Sequence, residues 1–266
     1  MTGYAPIPAL LSPYAAGGEP VTRDIPLETP IAIEISGISY AVMMATPADI
    51  ADFVTGFLLS EGLASVAEIG EIAIHPVRGG EGMVARTSLP AERMEPILAR
   101  ARRRLGDSSC GLCGLDSVEE ALRPLPRLAI RSSVRPEAIR LGLAAMRDAQ
   151  ALGARTRATH AAAFLSETGA LVALREDVGR HNALDKLIGA LARQGISPAQ
   201  GFIAVTSRCS YELVEKTVRA GCPLLVAVSA PTQLAVSRAQ AAGLAMAAIA
   251  RDDSLLWVSG PALDGE

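Results

Sequence analysis

Apolar residues alternate with polar ones early in the chain, and helical spacing follows. In IAIEISGISYAVMMA (31–45), apolar positions recur at about every second residue on both sides of Gly37, which predicts a hairpin with one buried face. TPADIADFVTGFLLSEG (46–62) has apolar residues at helical spacing. We expect Thr46 to cap this helix, Pro47 to occupy its first turn and Gly62 to end it. Two strands, in EIAIHPV and GMVARTS, and an arginine-rich helix at about 91–104 should follow.

The second half alternates strands with helices after a proline-rich connection at 123–136. The pattern predicts helix 136–151, strands 160–166 and 170–175, helix 181–193, strand 201–206, helix 210–220, strand 223–229, helix 232–242, and strands near 244–249 and 254–258. This alternation is typical of an α/β layer whose sheet is at least partly parallel. We therefore predict a mixed α/β (α+β) fold, with an N-terminal α+β region at 27–122 and a larger α/β domain at 123–266.

The first 26 residues differ from the rest because they contain five prolines and little periodicity, so we expect a flexible N-terminal arm at 1–26. Their start lacks the basic residues and apolar run of a signal peptide, and no apolar run elsewhere is long enough for a membrane span. The net charge of −3 argues against general nucleic-acid binding. Four cysteines without an export signal favour a cytoplasmic protein with reduced thiols.

The segment GDSSCGLCGLDSVEEAL (106–122) contains a CxxC pair, Cys110 and Cys113. Such a pair can hold zinc, exchange electrons as a disulfide or carry sulfur as a persulfide. The spacing of Ser117 and Glu120 predicts a helix start just behind the pair, and a helix amino end lowers a thiol pKa. Zinc needs more ligands, but Cys209 and Cys222 have twelve residues between them. A thioredoxin-like motif would follow a first strand, whereas an arginine-rich helix precedes this pair.

The densest polar stretch is REDVGRHNALDKLIG (175–189), at a predicted strand-to-helix junction. His181 and Asp185 are one helical turn apart and could face one cleft. TSRCSYELVEK (206–216) and VAVSAPTQLAV (226–236) repeat the geometry, so Ser207 and Ser229 could offer donors to a phosphate. Because ligands bind at the carboxyl ends of strands in open α/β sheets, a shared anion-binding cleft is one interpretation. Surface ion pairs and ordinary helix caps are the alternative.

Taken together and in this order, these segments, with SSCGLCG and THAAAF, resemble the FdhD family of formate dehydrogenase accessory sulfurtransferases. The resemblance covers most of the chain from about residue 20. It implies a carrier of persulfide sulfur from a cysteine desulfurase to the Mo-bis(molybdopterin guanine dinucleotide) cofactor, here a bound substrate, on behalf of formate dehydrogenase. It also implies a homodimer, and a larger domain with the three-layer fold of cytidine deaminases. The alternative function is a non-catalytic chaperone that binds and delivers the cofactor.

The resemblance also implies site residues. The sulfur-accepting cysteine falls on Cys110 and its partner on Cys113. The guanine-dinucleotide segment falls on Ala247, Ala248, Ile249, Ala250, Arg251 and Asp252, although this stretch is poor in glycine and has Asp252 where a proline is common. The pyrophosphates of the cofactor make Arg180, His181, Ser207 and Ser229 further candidates for cofactor contact. His160 is followed by two alanines rather than by the x-Glu of a deaminase, so we expect no tightly bound metal.

Overall fold

The computed structural model describes residues 3–12, 14, 17–77, 79–104 and 124–260. The strands described are β1 (Tyr4–Leu11), β2 (Glu19–Pro26), β3 (Thr29–Ile35), β4 (Ile38–Ala45), β5 (Ala73–Pro76), β6 (Met83–Thr87), β7 (His160–Ser166), β8 (Leu171–Asp177), β9 (Gly201–Val205), β10 (Leu224–Ala227), β11 (Ala245–Ala248) and β12 (Leu256–Ser259). The helices described are α1 (Ile50–Ser60), α2 (Met94–Arg104), α3 (Pro136–Ala149), α4 (Ala151–Thr156), α5 (Arg180–Arg193), α6 (Tyr211–Arg219) and α7 (Gln233–Ala242). None of these helices is long and apolar enough to cross a membrane.

The N-terminal half is built on a four-stranded sheet with the order β4-β3-β6-β5. The predicted hairpin is confirmed as β3 and β4, and α1 covers one face of the sheet. Ile31, Ile33 and Ile35 on β3 pack there against α1, and Ile97 of α2 joins the same core. The period-2 pattern therefore identified the buried face of the sheet correctly.

The start of α1 differs from the prediction. The helix begins at Ile50, and Asp49 takes the cap position with a φ of 54°. Thr46 is fully buried and bonds to the other half of the molecule instead: its backbone N–H donates to Asp177 at 2.9 Å, and its hydroxyl accepts the N–H of Val178 at 3.2 Å. A local capping signal has thus been overridden by a long-range contact.

The N-terminal arm also differs from the prediction, because β1 and β2 pair as an antiparallel two-stranded sheet from Tyr4↔Pro26 to Leu11↔Glu19. The hairpin contacts α4, where the guanidinium of Arg155 lies 4.9 Å from the ring centroid of Tyr4 and 3.4 Å from a carboxylate oxygen of Asp24. Proline removes a backbone donor but is tolerated at sheet edges, and each strand here has a free edge.

The second half is a six-stranded sheet with the order β12-β11-β10-β9-β7-β8, covered on both faces. β9, β10 and β11 are parallel, while β7, β8 and β12 each pair antiparallel. Helix α3 packs on one face through Ile139, Leu143 and Met146. The other face is covered by α5, α6 and α7. The predicted mixed α/β fold is confirmed, and this half has three layers.

Helices α1 and α5 cross at the seam between the two halves, and two glycines allow the close contact. A Cβ atom added to Gly56 would lie 1.7 Å from the carbonyl oxygen of Asp185, and one added to Gly189 would lie 1.8 Å from that of Asp52. The backbones therefore touch directly. This crossing fixes α5, and with it the REDVGRHNALDKLIG segment, against the N-terminal half.

Candidate functional site

The polar strand ends that the sequence singled out meet at one edge of the six-stranded sheet. Because β9, β10 and β11 are parallel, the residues after each of them lie at the same edge. β7 runs antiparallel to β9, so it begins at this edge, with the Ala161 N–H donating to the Thr206 hydroxyl at 2.9 Å. β8 ends there, and α5 begins three residues later. We call this the carboxyl edge.

His181, at the start of α5, contacts the segment after β9. Its Nε2 lies 2.9 Å from a carboxylate oxygen of Glu212 and 3.4 Å from the hydroxyl of Ser210. Ser210 in turn donates to the same Glu212 oxygen at 3.0 Å. Although burial opposes ionisation, the hydrogen bonds from His181 and Ser210 and the charge of Arg180 lower the pKa of Glu212. The side chain of Glu212 therefore holds His181 in place at the carboxyl edge.

Arg180 and His160 lie beside this pair. Burial lowers the pKa of His160, and the positive charges of Arg180 and His181 lower it further, while Asp177 acts in the opposite direction. The Nε atom of Arg180 is buried and has no hydrogen-bond acceptor in the described part of the chain. This corner of the edge thus holds the guanidinium of Arg180 beside the imidazoles of His160 and His181.

Other polar residues of REDVGRHNALDKLIG stabilise the seam. The buried carboxylate of Asp177 lies 2.6 Å from Nζ of Lys186 and accepts the side-chain amide of Asn182 at 3.0 Å. Lys186 also donates to the carbonyl of Thr46 at 2.9 Å, and Asn182 donates to that of Met44 at 2.8 Å. These three side chains hold the connection between β4 and α1 in place. For these three side chains, the structural interpretation applies rather than the ligand-binding one.

The spacing of His181 and Asp185 suggested that both side chains face one cleft, but Asp185 does not lie in a cleft with His181. Its carboxylate is buried and lies 2.8 Å from Nζ of Lys216 on α6. Burial opposes the charged form of Lys216, but the carboxylates of Asp185 and Glu61 raise the pKa of this lysine. The prediction was wrong because α5 is buried on more than one side, so a residue one turn away points into the interior.

The two serine candidates are held differently. Ser207 is buried, and its hydroxyl donates to the carbonyl of Arg208 at 3.0 Å. Ser229 is half-buried, and its carbonyl accepts the N–H of Ile249 at 3.2 Å. The segments after β10 and β11 are therefore joined by a backbone contact at the carboxyl edge.

The segment 247–252 passes from the sheet to the surface. Ala247 and Ala248 are buried in β11, and Ala250 is buried just after it. Ile249 has a φ of 49°, a left-handed conformation that is rare for a β-branched residue and that strains the backbone. Arg251 and Asp252 line two cavities of about 200 and 220 Å³ beside α3, and Asp252 pairs with Arg147.

The cysteines divide into two sets. Cys209 and Cys222 are fully buried and free, and burial raises the pKa of each thiol to about 12. Cys222 is a core residue. Cys110, Cys113 and the helix expected behind them lie outside the described residues. Within the described ranges, no group of three or more His, Cys, Asp or Glu side chains could hold a metal ion.

One member of the edge was missed in the sequence. Glu212, which holds His181, has no signal beyond its position two residues after Ser210 at the start of a predicted helix, where a cap is the ordinary interpretation. His160 was considered only as a metal ligand. Its place beside Arg180 follows from the pairing of His160 with Asp177 across β7 and β8, which the sequence alone does not reveal.

The fold and the carboxyl edge define a mixed α/β protein in which polar side chains gather outside the ends of the parallel strands. The sequence profile of the FdhD/NarQ family matches residues 26–262, and the chain belongs to this family. It is 46% identical over 240 residues to the sulfur carrier protein FdhD of Agrobacterium fabrum, covering 89% of this chain and 88% of the relative. It is 43% identical over 240 residues to the sulfur carrier protein FdhD of Variovorax paradoxus, covering 89% and 85%.

A solved structure confirms the fold. The crystal structure described as that of a formate dehydrogenase accessory protein from Desulfotalea psychrophila superposes with a TM-score of 0.77. The match covers 97% of this chain and 98% of that one, at 22% sequence identity. The architecture of both halves is therefore shared with a protein of distant sequence.

Proposed function

We propose that this protein is a sulfurtransferase that carries persulfide sulfur from a cysteine desulfurase to the Mo-bis(molybdopterin guanine dinucleotide) cofactor, on which formate dehydrogenase depends. The observation that carries the proposal is the identity of 43–46% to relatives named sulfur carrier protein FdhD, over most of both chains. As part of the proposal, the protein works in the cytoplasm as a homodimer, and its larger half is related to cytidine deaminases.

The state of the described cysteines supports the assignment of the carrier residue. Sulfur transfer requires an accessible thiolate, because the thiolate is the nucleophile in exchange at sulfur. Cys209 and Cys222 have no exposed surface and a pKa of about 12. They are unsuited to this role, which supports its assignment to Cys110, with Cys113 as its partner, as the family resemblance implies.

The proposed transfer has two steps. The Cys110 thiolate attacks the outer sulfur of the desulfurase persulfide, a new S–S bond forms, and the desulfurase cysteine leaves as a thiolate, so that Cys110 carries –S–SH. Cys113 thiolate then attacks the inner sulfur of Cys110, which forms a disulfide and releases the outer sulfur as hydrosulfide to the metal of the substrate. In the alternative course, Cys113 only tunes the reactivity of Cys110.

The carboxyl edge is the proposed binding place of the cofactor. Arg180 and His181 supply positive charge at one end of the edge, and Ser229 and Ala247–Asp252 lie at the other. Since the cofactor carries pyrophosphate groups, cationic side chains suit it. The strained backbone at Ile249 supports a functional role for the second group of residues.

Mass spectrometry of the protein after incubation with a cysteine desulfurase and cysteine tests the proposal. We expect an adduct of about 32 Da, the mass of one sulfur atom, on the wild type and its loss in Cys110→Ser. Cys209→Ser is the matched control and should retain the adduct. Active formate dehydrogenase in cells that contain only Cys110→Ser would contradict the carrier role and favour the cofactor chaperone.

A further inference from the structure

The N-terminal hairpin of β1 and β2 packs on the rest of the chain with only one of its two faces. In its register, even-numbered residues pair with even-numbered ones, and paired residues point their side chains to the same face of the ladder. Arg155 of α4 contacts the even-numbered Tyr4 and Asp24, so the even-numbered face is the one that lies on α4. The odd-numbered side chains therefore point to the opposite side of the hairpin.

This odd-numbered face is largely apolar. We call it the hairpin face, and it consists of Ala5, Ile7, Ala9, Leu11, Val21 and Ile25 together with Glu19 and Arg23. Ile7, Leu11 and Ile25 are 36%, 55% and 38% exposed. A two-stranded hairpin is marginally stable in water unless a hydrophobic face of it packs against something. The hairpin face is thus a candidate contact surface.

Prolines occupy both free edges of the hairpin. All four prolines of the two strands are even-numbered: Pro6, Pro8, Pro20 and Pro26. The odd-numbered residues form the bonds of the ladder, because the next pair in the register is bonded, with the Leu27 N–H donating to the Gly3 carbonyl at 2.8 Å. The even-numbered backbone groups therefore face outward, where proline has no N–H to donate. Addition of a further strand at an edge is disfavoured, and packing on the hairpin face is left.

The charges of the hairpin face are arranged symmetrically about its middle pair, Ala9 and Val21. On β2, Glu19 and Arg23 lie two residues to either side of Val21. A second hairpin can be placed face to face by a two-fold axis that crosses the strands at this middle pair. Each β2 then lies over the β2 of the other copy in the opposite direction. In that arrangement each Arg23 meets Glu19 of the other copy, so the surface is complementary to itself in charge.

We propose that the hairpin face is a contact surface between two copies of this chain. On β1 the same two-fold axis sets Ile7 against Leu11 of the second copy, so apolar residues meet beside the charged pairs. The proposal deepens the homodimer of the proposed function and rests on it only for the presence of two copies. The hairpin face lies before residue 26, where the match to the family profile begins, so the matched segment does not include it.

Sedimentation analysis of charge-reversed variants of the full-length protein, at low ionic strength, tests the contact. One short hairpin offers less than the standard interface of about 800 Å² per partner, so we expect self-association that depends on concentration in the micromolar range. Glu19→Arg brings two guanidinium groups together and Arg23→Glu two carboxylates, so each variant alone should self-associate about 10-fold more weakly or worse. An equimolar mixture of the two variants should associate as tightly as the wild type, because unlike charges then meet at both contacts.

Thr22→Arg is the matched control, since Thr22 is exposed on the even-numbered face of the same strand, and its self-association should equal that of the wild type. Leu11→Asp tests the apolar part of the contact and should weaken self-association by about 10-fold or more, because a carboxylate would be buried without a partner. Circular dichroism verifies that each variant is folded. Single variants that associate like Thr22→Arg, a mixture that stays as weak as its components, or a wild type that is monomeric throughout overturns the proposal.

The sulfur step separates this inference from the proposed function. A wild type that associates through the hairpin face but forms no persulfide on Cys110 contradicts the proposed function and leaves the contact standing. Persulfide formation by a wild type whose self-association does not respond to Glu19→Arg or Arg23→Glu overturns the contact and leaves the sulfur carrier standing.

Discussion

At the scale of single residues, buried charged groups in the second half differ in whether another side chain pairs with them. Lys186 and Lys216 are neutralised inside the fold by Asp177 and Asp185. Arg180 has no such partner among the described residues for its buried Nε. Burying an ionised group is costly unless it is paired, so the ion pairs of Lys186 and Lys216 are explained by the structure, whereas the buried Nε of Arg180 is left without an acceptor there.

The titration of His160 measures how strongly the charge of Arg180 acts on its neighbours. We expect the pKa of His160 to lie below the ordinary 6.5, since burial and the charge of Arg180 both disfavour the imidazolium. Arg180→Gln should move the midpoint upward. Because the pKa is lower in the folded state, the stability contributed by neutral His160 is present above about pH 6.5 and is lost as the pH falls.

NMR titration of the imidazole signals gives the midpoint for each variant. Arg127→Gln should leave the His160 midpoint where it is in the wild type, because this arginine lies at the other edge of the sheet. A wild-type midpoint above 6.5, or one that Arg180→Gln does not change, would show that Arg180 and His160 are not electrostatically coupled.

Single residues also show where sequence reasoning ends. The burial of Cys222 could be predicted, because the residue precedes an apolar strand. The roles of His181 and Asp185 could not be separated, because a spacing of four residues places both on one side of a helix without saying what covers each. Their partners, Glu212 and Lys216, come from α6 and are set by tertiary packing. Cys110 and Cys113 stay predictions.

At the scale of elements, periodicity predicted the helices and strands of the second half, but it did not predict β1, β2 or the start of α1. The strands and helices between 160 and 259 agree with the predicted order and nearly with the predicted bounds. β1 and β2 were missed because alternating prolines hide the usual strand composition. The start of α1 was misplaced because the buried bonds of Thr46 to Asp177 and Lys186 are worth more than a local cap.

The crossing of α1 and α5 provides a test at this scale. Replacing glycine by alanine inside a helix ordinarily stabilises it by about 1 kcal/mol. At Gly56 we expect the opposite, a loss of about 2 kcal/mol or more, because the new Cβ would lie 1.7 Å from a backbone oxygen of Asp185 and the helices would have to separate. Urea denaturation gives the free energy of unfolding.

Ser237→Ala, on the exposed side of α7, is the control for a small substitution in a helix and should change the unfolding free energy little. Gly189→Ala should behave like Gly56→Ala, since its Cβ would meet the backbone of Asp52 at 1.8 Å. Stabilisation by both alanines would mean that the two helices are not in backbone contact in solution.

At the scale of the whole molecule, the seam unites features that are far apart in the sequence. The chain has only two lysines, Lys186 and Lys216, and both are buried behind α1 and α5. Asp52 of α1 also pairs with Arg175 and Arg193, at 2.7 and 2.5 Å. The REDVGRHNALDKLIG segment thus has two roles. Its side chains at the seam stabilise the fold, and the amino end of α5 forms part of the carboxyl edge.

This arrangement predicts the reactivity of the amines. Acylation requires an exposed, neutral amine, but Lys186 is 0% and Lys216 9% exposed, and each is ion-paired. In the native protein we expect an amine-reactive ester to leave the peptides containing both lysines unmodified, and to acylate them in guanidinium, as measured by mass spectrometry. Arg127→Lys places a lysine on the surface and should be acylated at once. If Lys186 reacted as fast as that lysine, the two halves would have to separate in solution, and α5 would no longer hold the carboxyl edge in one geometry.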